Sequence, residues 1–307
     1  MIVPKIAVIG SANIDLISRT KRLPVCGETL PGEAFEIKPG GKGANQAVRI
    51  SMSGGQSVFI GRFGNDVFAP LLRDYLLSCN VDISFSSIAL THSGIGNVIL
   101  SQNGDYASVI IPGSNNEVSL DDIDAASSVI ASCDAILLQL EIPIKTIEYA
   151  VNVAHSYSKK IFLNAAPAME LSDSFYKKID TLIVNEIEAE MLTGIETIAD
   201  ENQLSSISRI LQRYSDNVVI SLGANGVFAM DRTGKSILVQ AHKINVTNTI
   251  GAGDTFIGEL VVRILSGTPF FESVRFANAA AASVLSSKDG LLHKISQQEL
   301  HCFLDKQ

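Results

Sequence analysis

Short apolar runs bounded by turn residues recur along the chain, with helical stretches between them: "KIAVIG", "SVFIGRFG", "AILLQLE", "IFLNAAP", "TLIVNE" and "NVVISLG". A near-continuous apolar run is what a strand buried on both faces requires, and strands alternating with helices build a parallel sheet. The pattern therefore predicts an α/β layer fold. Helices are expected at "SLDDIDAASSVIA", which opens on Ser119 and early acids as a capped helix does. Others are expected at "TIEYAVNVAHSYSK", "EIEAEMLTG" and "SVRFANAAAASVLSS".

Two stretches break this rhythm. "GIGNVILSQNGDYASVII", Gly94 to Ile111, has two β-rich runs joined at Asn103-Gly104, a pair that accepts the positive φ angles of a two-residue hairpin turn. An antiparallel hairpin has no place inside a parallel sheet, and "LPGEAFEIK", Leu30 to Lys38, also has strand character. The two are expected to make a small separate sheet. A surface excursion without function is the plain alternative. A lid is favoured, because a site for a polar small molecule needs something to exclude water. No Pro- or Ser-rich linker, low-complexity tract or fixed-period repeat marks a boundary. Residues 1–307 are expected to form one domain, with lid segments at roughly 14–38 and 94–111.

Composition narrows the partners. With 307 residues, 46% hydrophobic and 18% charged, the chain can bury a large core. A formal net charge of -8 and the lack of any Lys/Arg run argue against a nucleic-acid or anionic-membrane surface. No apolar run approaches the roughly 20 residues that span a bilayer. Cys26, Cys79, Cys133 and Cys302 have no paired spacing, and "MIVPKIAVIG" lacks the features of a signal peptide, so a reducing, cytoplasmic setting is expected. His92, His155, His242, His293 and His301 form no close pair, which disfavours a tightly held protein-ligated metal.

Chemistry concentrates in "NTIGAGDTF", Asn248 to Phe256. "KINV" before it has strand character, and "DTFIGELVVRIL" after it has helical spacing. Gly251, Ala252 and Gly253 at a helix opening turn backbone N–H groups toward a ligand, and the helix N-terminus adds partial positive charge. The site should hold an anion. An acid beside it, Asp254, makes sense if the anion is a phosphoryl group passing to a hydroxyl whose proton Asp254 accepts. On this motif alone, however, a helix cap is the commoner role for such an Asp.

A second glycine-dense turn, "PGGKGANQAVRI", opens another helix; Gly40, Gly41 and Gly43 permit close approach, while Lys42 and Asn45 offer donors suited to hydroxyls. "SANID" offers Asn13 and Asp15 at the end of the first strand, and Glu141 follows the strand "ILLQL". Ligands of open α/β sheets bind beyond the carboxyl ends of strands, so these groups can converge on a polyhydroxy compound. Taken singly, each is more simply a turn residue, a helix-start residue or a solvated charge. The P-loop pattern is absent, since Gly43 follows Lys42 where a hydroxyl is required, and "VIGSAN" supplies only Gly10 of a dinucleotide fingerprint.

Together these stretches resemble the ribokinase-like family of carbohydrate kinases. The resemblance runs nearly the full length, through "GSANIDLI", "PGGKGANQA", "LQLE", "NEIEAEMLTG", "SLGANG", "NTIGAGDTF" and "RFANAAAA". It implies a Rossmann-like three-layer fold with a β lid that often forms a homodimer interface, and ATP-dependent phosphorylation of a sugar hydroxyl with Mg²⁺. It assigns Asn13, Asp15, Gly41, Lys42, Gly43, Asn45 and Glu141 to the sugar, Asp254 to the base, and Gly251, Ala252 and Gly253 to the γ-phosphoryl group. Asn185 and Glu188 match a phosphate and magnesium motif, with Glu188 acting indirectly; Ser221, Gly223 and Gly226 match a nucleotide loop; Asn278 matches a position near the adenine.

Departures from the family pattern bear on tuning. Asn248 and Ile250 match a monovalent-cation position, but Asn248 stands where an aspartate is usual, and "LSSKDGLLHK" differs from the second cation loop, so potassium is expected to matter little. Ile257 and Glu259 replace small or polar residues. The expected function is a sugar kinase, with ribose first and deoxyribose, another sugar or a nucleoside as alternatives. A non-catalytic sugar- or nucleotide-binding regulator on the same fold is the rival of another class.

Overall fold

Ile6, Ala7, Val8 and Ile9 are all 0% exposed, the burial that a continuous apolar run demands of a strand covered on both faces. Alternate side chains enter different cores. Ala7 and Ile9 share one with Ile147 and Val151 of the helix Ile144–Ser156. Ile6 and Val8 share the other with Val48 of the helix Lys42–Met52 and Leu260 of the helix Ala252–Leu265. The result is three layers, helix on sheet on helix.

The structure, a computed structural model, describes residues 3–103, 105–169, 172–197, 200–247 and 251–305. The strands are β1 (Lys5–Ile9), β2 (Asn13–Thr20), β3 (Ala34–Gly40), β4 (Gln56–Ile60), β5 (Arg62–Phe63), β6 (Ser87–Ile88) and β7 (Gly94–Ser101). They continue as β8 (Tyr106–Ile111), β9 (Ala135–Leu138), β10 (Lys160–Asn164), β11 (Ile179–Asn185), β12 (Ser215–Ser221), β13 (Val227–Met230) and β14 (Ser236–Val239).

Among the described residues the main sheet has eight strands in the order β14-β13-β12-β11-β10-β9-β1-β4, and a four-stranded sheet runs β3-β2-β7-β8. From β12 to β4 the main sheet is parallel, as the apolar runs predict; β13 and β14, which the sequence pattern does not reveal, add an antiparallel edge. Ile9 pairs with Ile60 of β4 on one side and Leu138 of β9 on the other. The strand order therefore reverses at β1, which opens a crevice at the carboxyl ends of β1 and β9.

The expected small sheet is present, formed from segments on both sides of β4, and it is mixed: β2 pairs antiparallel with β3 but parallel with β7. Asn13 is not a terminal turn of the first strand; it is the first residue of β2. Gly104 of the hairpin turn lies outside the described residues. "KINV" is not a strand. Its segment crosses the helix Phe270–Ser286, where side-chain and helix-end bonds replace sheet pairing: Asn278 Nδ2 donates to the Gln240 carbonyl at 2.9 Å and the Thr247 N–H to the Leu285 carbonyl at 2.8 Å. The helix expected from Ser119 divides into Leu120–Ala125 and Ser127–Ser132, with Asp122 Oδ2 accepting from the Ser119 N–H at 2.8 Å. No helix among the described residues is long and apolar enough to cross a membrane.

Candidate active site

The crevice is assembled by the close approach of a helix to the turn after β1. Gly41 caps the helix Lys42–Met52 at φ 90°, and a Cβ there would sit 2.8 Å from the Asn13 nitrogen and 2.9 Å from Ala12 Cα. Any larger residue would push the helix away. With the helix seated, the Lys42 N–H donates to Glu141 Oε2 at 3.2 Å, and Ser11 Oγ donates to the same oxygen at 2.5 Å. Asn115, buried, accepts from the Ala12 N–H at 2.9 Å and donates to Asn13 Oδ1 at 2.7 Å. The turn after β1, Glu141 in the loop after β9 and the helix start thus form one polar cluster.

Asp15 lies on β2 between two glycines. A Cβ on either Gly40 or Gly96 would come within 2.3 Å of a carboxylate oxygen of Asp15. That carboxylate has no hydrogen bond among the described residues, so both oxygens remain acceptors for a ligand. Burial, reinforced by the negative charges of Glu141 and Asp254, pushes the Asp15 pKa up to about 6.

Asp254 does not cap its helix. Gly251 does, at φ 82°, and the first helical bond runs from the Thr255 N–H to the Gly251 carbonyl at 2.8 Å. The carboxylate turns instead toward the neighbouring helix: Oδ2 accepts from Asn45 Nδ2 and Oδ1 from Gln46 Nε2, both at 3.0 Å. Burial raises its pKa, against the lowering effects of Lys42 and the two amides. Ala252, Gly253 and Asp254, whose N–H groups belong to the first turn and find no partner within their own helix, line a cleft of about 270 Å³. Among the described residues nothing lies within 4 Å of where a Gly253 Cβ would be.

Lys42, Asn164, Asn185, Glu188 and Ser221 line the same cleft. Asn185 and Glu188 form a capping box at the end of β11: the Asn185 N–H donates to Glu188 Oε2 and the Glu188 N–H to Asn185 Oδ1, each at 2.8 Å. Burial raises the Glu188 pKa, while the Asn185 bond and Lys42 oppose the shift. Its Oε1 has no hydrogen bond among the described residues, and Glu188 lines the cleft. Ser221 closes β12, and Gly223 and Gly226 form the tight turn beyond it, outside the cleft lining. Asn278 is also outside; its amide holds the Gln240 carbonyl beside a larger hollow of about 490 Å³ lined by Gln240, His242, Arg275 and Phe303. Asn248 and Ile250 lie outside the described residues. Ile257 lines the cleft, whereas Glu259 turns away to pair with Arg263 at 2.7 Å.

Five participants were not singled out from sequence: Ser11, Gln46, Asn115, Gln139 and Asn164. Ser11 and Gln46 sit inside "GSANID" and "GGKGANQA", next to residues chosen for their donors, so adjacency was their signal. Gln139 and Asn164 are polar residues at the ends of otherwise apolar strands, a pattern that marks the crevice end of a parallel sheet. Asn115, in "PGSNNE", carried none. Chemically, the arrangement offers a carboxylate held by two amides beside helix amides without a partner among the described residues: a proton acceptor next to an anion seat.

A family model described as "pfkB family carbohydrate kinase" matches residues 3–293. The chain is 32% identical over 301 residues to a ribokinase of Haemophilus influenzae, covering 98% of each chain. It is 34% identical over 255 residues to a deoxyribokinase of Salmonella typhi, covering 82% of this chain and 83% of that one. The solved structure of Arabidopsis thaliana ribokinase complexed with ribose and ATP superposes with a TM-score of 0.88 at 27% identity, covering 99% of each chain. The chain therefore belongs to the pfkB family of carbohydrate kinases.

Proposed function

We propose that this carbohydrate kinase transfers the γ-phosphoryl group of ATP to the primary hydroxyl of a pentose, D-ribose before others. The observation that carries the proposal is the pair of amide bonds that turn Asp254 away from capping and toward the crevice, beside the first-turn amides of its helix. Asp254 accepts the hydroxyl proton as the oxygen attacks the γ-phosphorus. The bond from that phosphorus to the β,γ-bridging oxygen breaks and ADP departs, while Gly251, Ala252 and Gly253 carry the transferred charge.

Asn13, Asp15, Gly41, Lys42, Gly43, Asn45 and Glu141 orient the sugar. Asn185, Ser221, Gly223, Gly226 and Asn278 take the nucleotide. No group of three or more His, Cys, Asp or Glu side chains able to hold a metal occurs among the described residues. That fits Mg²⁺ carried on nucleotide phosphates and water, with Glu188 Oε1 as its indirect protein partner. When bound, Mg²⁺ would neutralise phosphate charge.

The small sheet acts as the lid of a single kinase domain and joins two copies of the chain; its exposed Phe35, Ile37, Val109, Ile110 and Ile111 support that role. Four free cysteines suit the cytoplasm. A deoxyribose kinase is the second reading, favoured by the identity to the Salmonella deoxyribokinase. ATP consumption with a panel of ribose, 2-deoxyribose, fructose and nucleosides tests the proposal. Turnover with a pentose is expected; ATP binding with no turnover on any acceptor would replace the kinase by a silent binding protein.

A further inference from the structure

Beneath Asp254 lies a chain of buried carboxamides. Gln139 Nε2 donates to Gln46 Oε1 at 2.6 Å, and Gln46 Nε2 donates to both Asp254 Oδ1 at 3.0 Å and Asn164 Oδ1 at 3.1 Å. Gln46 and Gln139 are both 0% exposed. The direction of the chain is set by chemistry. An ionised Asp254 can only accept, and the Asn164 amide nitrogen is committed to the Ile183 carbonyl at 3.4 Å, so Gln46 must present its NH₂ to both. Its carbonyl then needs a donor, which Gln139 supplies. Space for Gln139 comes from Gly10, where a Cβ would stand 2.0 Å from Gln139 Oε1.

We propose that Gln46 is a positioning residue for the base and that Gln139, acting through it, locks the Gln46 amide with its donor toward Asp254. Such a lock would do two things at once. It holds the carboxylate in one orientation toward the crevice, and it stabilises the ionised form that accepts a proton. Without Gln139 the Gln46 amide can rotate, and its carbonyl then meets the carboxylate. The charged and titratable groups that face Asp254 are Lys42 on the Gln46 helix, Glu141 after β9, Asp15 on β2 and Tyr75 on the helix Ala69–Ser78. None of them contacts the Gln46 or Gln139 amides through a hydrogen bond.

This inference rests on Asp254 being the base, so its test includes Asp254→Asn. The measurement is kcat against pH at saturating ATP and ribose, or whichever acceptor the panel selects, for wild type, Asp254→Asn, Gln46→Leu and Gln139→Met. Removing a donor from a carboxylate favours its protonated form. The acidic limb should therefore move to higher pH by about one unit in Gln46→Leu, and in the same direction by less in Gln139→Met. Gln139→Met keeps the buried volume and touches no reacting group, so it answers the question even if Gln46→Leu does not fold. A limb that disappears in Asp254→Asn but stays in place in the glutamine variants that fold overturns the inference and leaves the base assignment standing. A limb that persists in Asp254→Asn overturns the base assignment and the inference with it. Lower thermal stability with an unmoved limb would reduce both glutamines to packing.

Discussion

On the proposed sugar side of Lys42, groups from distant parts of the chain hold one another: Ser11 and the Lys42 amide on Glu141, Asn115 on Asn13, Asn45 and Gln46 on Asp254. On the proposed nucleotide side the bonds are more local, the longest reaches being those of Ser221 and Asn278 to carbonyls 37 and 38 positions away. Asn185 and Glu188 satisfy each other's backbone across three residues, and Gly223 stands exposed in a tight turn with nothing nearer than 4.0 Å to the place of its Cβ. A network of buried side chains is rigid and intolerant of change, because each loss leaves a partner unsatisfied in low dielectric. An exposed turn position such as Gly223 is forgiving, since a side chain there touches nothing closely among the described residues. The two sides should therefore respond differently to substitution.

The largest effect is expected at the centre of the network. Asp254→Asn should lower kcat by on the order of a hundredfold or more while leaving ATP affinity nearly intact. An unchanged kcat would mean that the amide-held carboxylate has no catalytic role. Next comes Asp15→Ala, which removes two free acceptors from the sugar side; kcat/KM for ribose should fall by roughly 10 to 100-fold with the KM for ATP unmoved. Equal losses for both substrates would erase the distinction between the sides.

Acidity should separate them further. With a pKa of about 6 in the folded protein, Asp15 becomes protonated as the pH falls below neutrality and loses acceptor capacity. The KM for the sugar should then rise about tenfold between pH 7 and pH 5, more steeply than that for ATP. The stability consequence has the opposite sign. A carboxyl whose folded pKa lies above its ordinary 3.8 is favourable below that value, and the benefit is lost as the pH rises through 6. Asp15→Asn should accordingly stabilise the protein at pH 7 by about 1 to 2 kcal/mol, a gain that vanishes below pH 4 in denaturant titrations. The smallest effect is expected at Gly223, where φ is 51°. Gly223→Ala should cost about 1 kcal/mol from the left-handed backbone and change the KM for ATP by no more than about threefold. A loss of ATP binding there would make the nucleotide side as exacting as the sugar side.

The contrast also explains what could be read from sequence. The parallel sheet was legible because runs such as Ile6–Ile9 and Ala135–Leu138 have one physical reason to exist, burial on both faces. The four-residue edge strands β13 and β14 are apolar too, but apolarity alone does not announce their antiparallel pairing. "KINV" showed strand composition, but composition cannot supply a pairing partner. Within the site, residues in glycine-rich turns could be named because the turn itself announces a ligand. The roles of Gln46, Gln139 and Asn115 could not, since they consist of bonds to residues between 93 and 208 positions away. For the same reason Asp254 looked like a cap: its amide partners lie more than 200 residues earlier.

The most direct test of the account is the ratio of kcat/KM for ribose to that for 2-deoxyribose, measured in parallel for the wild type and Asp15→Ala. A half-buried carboxylate that expects a hydroxyl is left unpaired when that hydroxyl is missing, with a penalty that can reach roughly 10⁴ in kcat/KM. The account predicts a clear ribose preference in the wild type, and a smaller ratio once Asp15 is removed because ribose alone loses. Equal values for the two sugars, or a deoxyribose preference, would contradict the claim that the sugar side of the crevice is built for ribose.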